Sequence, residues 1–392
     1  MGVTVLIARY IGEKKPQQIG AVLGGAAVVF AIMSVVLFIL LVAFARPIAV
    51  LMQAPEEAIG LTASYIRICG SGIFFIVAYN LMAAIFRGLG DSKSPLLFVL
   101  VACIVNIAGD LLLVAGLKMD AAGAAAGTGG GPAGGGAAAA TVLAQAVSVV
   151  FAIVMLVKKD LPFTIKKSDF RLDVQCRKFL EIGLPLALQE FLTQLSFLAL
   201  CAFVNRLGLA ASSGYGVACK IVNFAMLIPS ALMQSMASFV AQNVGAGNPK
   251  RAQKAMLTGI GVGLMFGCAV FALVMFRGDL LAGVFSTDAE VVQKGFEYLK
   301  GFAPETIVTA ILFSMVGYFN GNNKTLWVMI QGLVQTLLVR LPMAYFMSIQ
   351  PNASLTKIGL AAPVSTTVGV VLNIAFYMYL NRAEQRKQRT AA

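Results

Sequence analysis

The sequence predicts an all-α integral membrane protein built from two homologous helix bundles, and three observations predict it. The chain is 59% hydrophobic and 12% charged, with a mean hydropathy of +0.86, whereas soluble domains are about one-quarter charged. Apolar runs of the roughly twenty residues that a bilayer core demands follow one another almost to the end. A single offset of 233 positions then maps the opening of the chain onto its second half. It carries Gly12 to Gly245, Pro16 to Pro249, Ala49 to Ala282, Glu57 to Glu290, Tyr65 to Tyr298, Phe86 to Phe319 and Gly88 to Gly321. A constant offset over so many positions is the mark of an internal duplication.

In chain order, the apolar runs predict ten full spans, at 19–45, 58–86, 95–116, 138–157, 178–205, 210–241, 253–276, 290–319, 325–348 and 356–380. Residues 2–10 add two to three turns, too short to cross at about 1.5 Å per residue. In the second half two spans, starting near Cys176, precede the junction at Gly245, whereas eleven residues precede its counterpart Gly12. By symmetry of the halves, about sixty residues are expected to be absent from the front. The reading is an N-terminally truncated product: about eleven helices of an expected twelve, the first missing and the second partial. The expected domains are a first bundle at 1–157, a cytoplasmic linker at 158–177, a second bundle at 178–381 and a basic cytoplasmic tail at 382–392.

Orientation follows from the loops. Twenty Lys and Arg lie on one side, seven of them between Lys158 and Lys178, against five on the other (Arg46, Lys118, Arg206, Arg277, Lys357). The richer face, with the carboxyl tail, is therefore expected in the cytoplasm. The linker reads as a solvated basic loop near anionic lipid headgroups.

Composition also excludes function classes. The net charge of +13 lies in short runs between apolar spans, with no basic, aromatic-interleaved module, so nucleic acid is not an expected partner. There is no histidine, the commonest general base and zinc ligand. The six cysteines are scattered and form no CxxC, which makes them packing residues. The stretch 121–140 is almost pure Ala and Gly and reads as an insertion of about fourteen residues, since loops accept length at small cost.

Chemistry has to come from polar groups held inside the membrane, where an ionisable side chain is costly and rarely idle. Asn106 and Asp110 stand four apart on one helix face. Asp110 lies roughly 22 Å along the helix from Pro95, in the outer half of the bilayer. Asn80 and Thr141, on the neighbouring spans, offer further oxygens to the same cavity. In the second bundle Glu190 and Glu305 are intramembrane carboxylates, with Lys220 and Arg340 as cations able to neutralise them. These four groups read equally as an ion-pair network that pins helices and as a coupling or substrate site. Prolines 185, 229, 304, 342 and 363 all fall in second-bundle helices and make that bundle the more deformable one.

At these residues the sequence resembles the multidrug and toxic compound extrusion (MATE) transporters. The likeness rests on the Gly12 and Gly245 junctions, on Phe86-Arg87-Gly88-Leu89-Gly90-Asp91 with its counterpart Phe319-Asn320-Gly321, on Asn106 to Asp110, and on Gly183-Leu184-Pro185. It covers nearly the whole chain apart from the Ala/Gly stretch and the tail. The resemblance implies two six-helix bundles about a pseudo-twofold axis that alternate between outward- and inward-open states. It implies export of small cationic amphipathic compounds across the inner or plasma membrane in exchange for protons or sodium ions, by a monomer with membrane lipids around it and no other cofactor.

The family's first-bundle site combines an acidic residue of the first helix, absent here, with the positions matching Asn106 and Asp110; Asn80 and Thr141 are further matches. Asp110 and Asn106 are accordingly the candidate sodium ligands. Some branches use carboxylates of the seventh and tenth helices, on which Glu190 and Glu305 lie. Two rival readings stay open, a flippase for lipid-linked oligosaccharides and an inactive fragment. A membrane enzyme is not expected, because no nucleophile with a base and no metal cluster is apparent.

Overall fold

The computed structural model describes residues 1–51, 56–116, 136–159, 161, 163–164 and 166–391. Residues 121–135 of the Ala/Gly stretch lie outside them, and residues 136–140 open a helix. Among the described residues there are helices and no strands. Eight helices are long and apolar enough to cross a membrane, and ten if each of two bent pairs counts as one span. That arrangement is what a bilayer requires, because a spanning helix bonds its own backbone where no water can.

The chain falls into two compact units. The first bundle is Leu6–Phe179. After the short α1 (Gly2–Gly12) come α2 (Pro16–Ala43), α3 (Ala45–Leu51), α4 (Ile59–Ser71), α5 (Ile73–Gly88), α6 (Lys93–Asp110) and α7 (Gly136–Lys158). A π-helical turn, Leu111–Gly116, prolongs α6 beyond Asp110. The second bundle is Leu180–Ala392 together with Met1–Val5. It contains α8 (Val174–Asn205), which starts just before it, then α9 (Leu209–Gly245), α10 (Pro249–Gly283), α11 (Ala289–Phe302) and α12 (Glu305–Gly321). It closes with α13 (Thr325–Leu333), a π-helical turn Val334–Arg340, α14 (Leu341–Ser348), α15 (Leu355–Gly359) and α16 (Ala361–Ala391).

The duplication is written into the backbone hydrogen bonds. Before α2, the amides of Lys14 and Lys15 donate to the carbonyls of Ile11 and Tyr10; before α10, those of Gly247 and Asn248 donate to Val244 and Asn243. Every partner is shifted by the same 233 positions. The turn repeats after α5 and α12, where Gly90 and Asp91 donate to Arg87 and Phe86, and Asn323 and Lys324 donate to Asn320 and Phe319. Each turn needs one left-handed residue, at φ 56° for Lys14, 74° for Gly247, 82° for Gly90 and 58° for Asn323. Pro16 and Pro249 then start their helices at the position where a missing N–H costs nothing. Phe86 and Phe319 are both fully buried beneath these turns.

The bent spans obey the same offset. α4 and α5 meet at 45° across Gly72, and α11 and α12 at 49° across Ala303 and Pro304. Pro304 accounts for the second bend through its lost N–H. The first bend has no proline; a side chain on Gly72 would run into Val142 of α7. Pro185 and Pro229 sit inside α8 and α9, which continue through them. Pro342 follows directly on the turn Val334–Arg340, and a π-helical turn is one way to absorb a proline clash.

In lipid, helices gain little from leaving the solvent, so small residues that let backbones approach matter more. Gly267 of α10 lies against the Thr306 carbonyl, leaving no room for a Cβ. In the first bundle Gly24 of α2 lies in the same way against the Asp169 backbone. The described part of the linker is therefore packed, not merely solvated. Phe163 and Cys176 are buried, while Lys166 and Lys167 stay exposed. Tyr10 Oη donates to Gln175 Oε1 at 2.7 Å, and Lys178 Nζ donates to Tyr10 Oη at 3.2 Å.

Candidate functional site

Among the described residues, each bundle holds a polar cluster around an acid with a sealed oxygen. In the first bundle, α6 and α7 close on each other near Gly109, where an added Cβ would come 3.0 Å from Ala140 Cβ. This close approach lets Asn106 Nδ2 donate to Thr141 Oγ1 at 3.4 Å, and the Thr141 hydroxyl donates to the Ala137 carbonyl at 3.0 Å. Asp110 lies one turn along α6 from Asn106 on the same face; α7 runs back along α6, with Ser148 Oγ donating to the Phe98 carbonyl, so Gln145, one turn along α7 from Thr141, lies on the side of the pair away from Asp110. Asp110 Oδ1 and Gln145 Oε1 are both sealed from solvent without a hydrogen-bond partner. Tyr65 of α4 lies within electrostatic range of Asp110. A carboxylate, an amide oxygen and a hydroxyl are ligand types of a hard cation, and they suit a sodium ion as well as a proton or an organic ammonium.

Asn80 is not part of this cluster. It is exposed, and its amide donates back to the Ile76 carbonyl of its own helix.

In the second bundle the acid is Glu305, at the start of α12 just past the bend. Thr366 Oγ1 donates to Glu305 Oε1 at 2.8 Å. Gln335 Nε2 donates to Thr366 Oγ1 at 2.8 Å, and Gln331 Nε2 to Gln335 Oε1 at 2.7 Å. Glu305 Oε2 and the Thr309 hydroxyl one turn on are buried and unpartnered. Arg340 lies in range to act electrostatically on Glu305 but does not reach ion-pair distance.

The other two predicted members stand apart. Glu190 is exposed and accepts from Gln194 Nε2 at 3.0 Å, on its own helix. Lys220 is also exposed, with its ammonium 5.6 Å from the Phe285 ring centroid, and pairs with neither glutamate. Sequence reasoning missed Gln331, Gln335 and Thr366, because neutral polar residues in an apolar run announce no charge.

Outside the membrane, Asp91 terminates the α5–α6 turn. Its carboxylate accepts from the Lys93 and Ser94 amides, from the Ser94 hydroxyl at 2.6 Å and from Lys159 Nζ at the end of α7. Burial pushes its carboxyl up, but the hydrogen bonds from Lys159 and Ser94 outweigh it and hold it down at about 2.

An apolar all-α chain with a duplicated bundle and one sealed acid in each half has the build of a polytopic membrane transporter. The MatE family profile matches residues 1–112 and 185–346, and the chain belongs to the multidrug and toxic compound extrusion family of transporters. Among curated relatives, the probable multidrug resistance protein YoeA of Bacillus subtilis is 24% identical over 98% of this chain and 82% of its own length. An FAD transporter of Shewanella oneidensis is 25% identical over 88% of this chain and 74% of its own. Among solved structures, a MATE protein in complex with MaL6 superimposes with a TM-score of 0.88 at 22% identity, covering 98% of this chain and 84% of that one. A MOP superfamily transporter from Pyrococcus furiosus gives 0.87 at 22% identity, over 96% and 81%.

Proposed function

We propose that this chain is a secondary active antiporter of the inner or plasma membrane that exports cationic amphipathic compounds in exchange for protons or sodium ions, with no organic cofactor. Asp110 is the exchange residue. The observation that carries this reading is the sealed, unpartnered Asp110 Oδ1 one turn from the Asn106–Thr141 pair. A single carboxylate among neutral oxygens can hold one cation at a time, whether proton, sodium ion or drug ammonium. That mutual exclusion is the basis of exchange: inward entry of one cation releases the other on the opposite side when the transporter changes its open face. Asn106 and Thr141 supply neutral ligands of the kind a sodium ion accepts. Glu305, held by Thr366, is the second coupling position.

The charge of the loops supports a cytoplasmic carboxyl tail. The relatives' names divide between drug exporters and an FAD transporter, and an acid with no ion-pair partner among the described residues favours a cationic cargo at the first-bundle site. The test is ethidium efflux from cells producing this chain. Asp110→Asn is expected to reach the membrane in normal amount and to export at the background rate. Wild-type efflux by that variant would reject the role. In proteoliposomes, efflux driven by an imposed proton gradient or by an imposed sodium gradient separates the two coupling ions.

A further inference from the structure

Arg340 is the group that a cation exporter leaves unexplained. Arginine keeps its charge at every working pH, and a charged side chain within a spanning segment is costly unless something partners it. Arg340 ends the π-helical turn in the 325–348 span. Its guanidinium carbon lies 4.3 Å from the centroid of the Phe197 ring on α8. Its Nε is sealed from solvent and has no hydrogen-bond partner, and among the described residues no carboxylate stands at ion-pair distance. Nε–H and the adjacent Nη–H form one edge of the guanidinium fork, the edge that receives both oxygens of a carboxylate or phosphate. That edge is open.

Glu305 does not fill it. One of its oxygens is held by Thr366, the other is unpartnered, and the two charges remain separated. A purely structural ion pair would close, since closing satisfies both charges at once. Opposite charges held apart, each with one vacant hydrogen-bonding position, are instead complementary to a molecule that bridges them. The surroundings are aromatic: Phe197 under the guanidinium, Tyr298 beside it, and Tyr215 packed edge-on to Tyr298 with centroids 4.9 Å apart.

We propose that the second bundle holds a binding site for soluble aromatic oxyanions, with Arg340 as receptor for a carboxylate or phosphate, Phe197 stacking on the guanidinium, and Glu305 accepting from an ammonium or hydroxyl of the same molecule. The site goes beyond the cation exchange assigned to Asp110 and shares with that reading only Glu305; the Arg340 and Phe197 variants leave Asp110 and Glu305 in place, so each reading can fail alone.

The test uses the purified full chain in phosphatidylcholine nanodiscs, titrated with 2-naphthoate, 2-naphthyl phosphate and 2-naphthylmethylammonium and followed by naphthalene fluorescence anisotropy. Both oxyanions are expected to bind. Arg340→Gln is expected to weaken them about tenfold or more while leaving the ammonium unaffected, since a charge-assisted, two-point contact is lost. Arg340→Lys, which keeps the charge without the fork, is expected to fall between, Phe197→Leu to weaken both several-fold, and Asp110→Asn to change neither. Oxyanion binding by Arg340→Gln at wild-type strength would overturn the proposal, as would a wild-type chain that binds neither oxyanion. If Arg340→Gln is not monodisperse, wild-type affinity in both Arg340→Lys and Phe197→Leu overturns it equally. Unchanged affinity in phosphatidylglycerol discs supports a soluble acid; displacement there would assign Arg340 to a lipid headgroup and reject the site as stated.

Discussion

The two bundles share a backbone and differ in what they bury. Their turns match bond for bond at one offset, their fourth-to-fifth and eleventh-to-twelfth helix bends fall at corresponding positions, and Phe86 and Phe319 fill the same place. The interiors have diverged. The first bundle sets Asp110 one turn from an amide and a hydroxyl joined by one long hydrogen bond. The second encloses Glu305 in a continuous chain through Thr366, Gln335 and Gln331, and adds the cation Arg340. At the bend the offset pairs Gly72 with Glu305. Turns and buried aromatics thus constrain a duplicated membrane fold more tightly than its polar interior, because every backbone group must be satisfied in lipid whereas a polar site can be rewritten residue by residue.

The comparison can be broken most forcefully at a backbone contact. Gly267→Leu would drive a side chain into the Thr306 carbonyl, which cannot yield without moving α12. We expect a loss of about 3 kcal/mol or more, read as failure to recover a monodisperse chain in detergent; normal yield and melting temperature would show that α10 and α12 do not depend on that approach.

A gentler test sharpens the contrast between interiors. Thr366→Val removes a donor from Glu305 and strands the Gln335 amide, so about 2 kcal/mol of stability should go. Thr141→Val removes a single 3.4 Å contact and should cost under about 1 kcal/mol. Thermal unfolding of the two variants side by side decides it, and equal losses would mean that the chain in the second bundle is no tighter than the pair in the first.

A small, pH-dependent effect is expected at the turns. Asp91→Asn loses the Lys159 pair and weakens the cap on α6, about 1 kcal/mol once solvent screening of a partly exposed lysine is allowed for. Because the folded carboxyl titrates at about 2, below its ordinary value near 4, its contribution is full above about pH 4 and disappears as pH falls toward 2. The gap between wild type and variant in a pH series should close over that window. The corresponding turn of the second bundle carries Lys324, so Lys324→Gln should show no such acid-dependent gap.

Much of the fold was legible in the residues. A span announces itself by length and hydropathy, and all ten predicted runs lie in helices within a few residues of the expected limits. The duplication was legible because Gly12, Pro16, Phe86 and Gly88 recur at fixed spacing. The clusters were legible in part. Asp110 and Asn106 share a face by helical geometry alone, and Asp110 stands out as a charge in an apolar run. Gln145, Gln331, Gln335 and Thr366 carry no charge, and nothing local tells whether such a side chain faces a partner, its own helix or lipid. Asn80 shows the same blindness from the other side, bonded to Ile76 where a role beside Asp110 was expected.

The sequence by itself determined the solvent, the element type, the span limits and the repeat, because each follows from hydropathy, helical rise and positional identity along one chain. Only the tertiary structure decided which polar atoms meet. That choice turns on close helix approaches of the kind seen at Gly109 and Ala140, on where a bend or a π-helical turn rotates the following residues, and on whether two intramembrane charges close on each other or, as with Glu305 and Arg340, stay apart. Such distances depend on residues far apart in the chain, and no periodicity within a single helix encodes them.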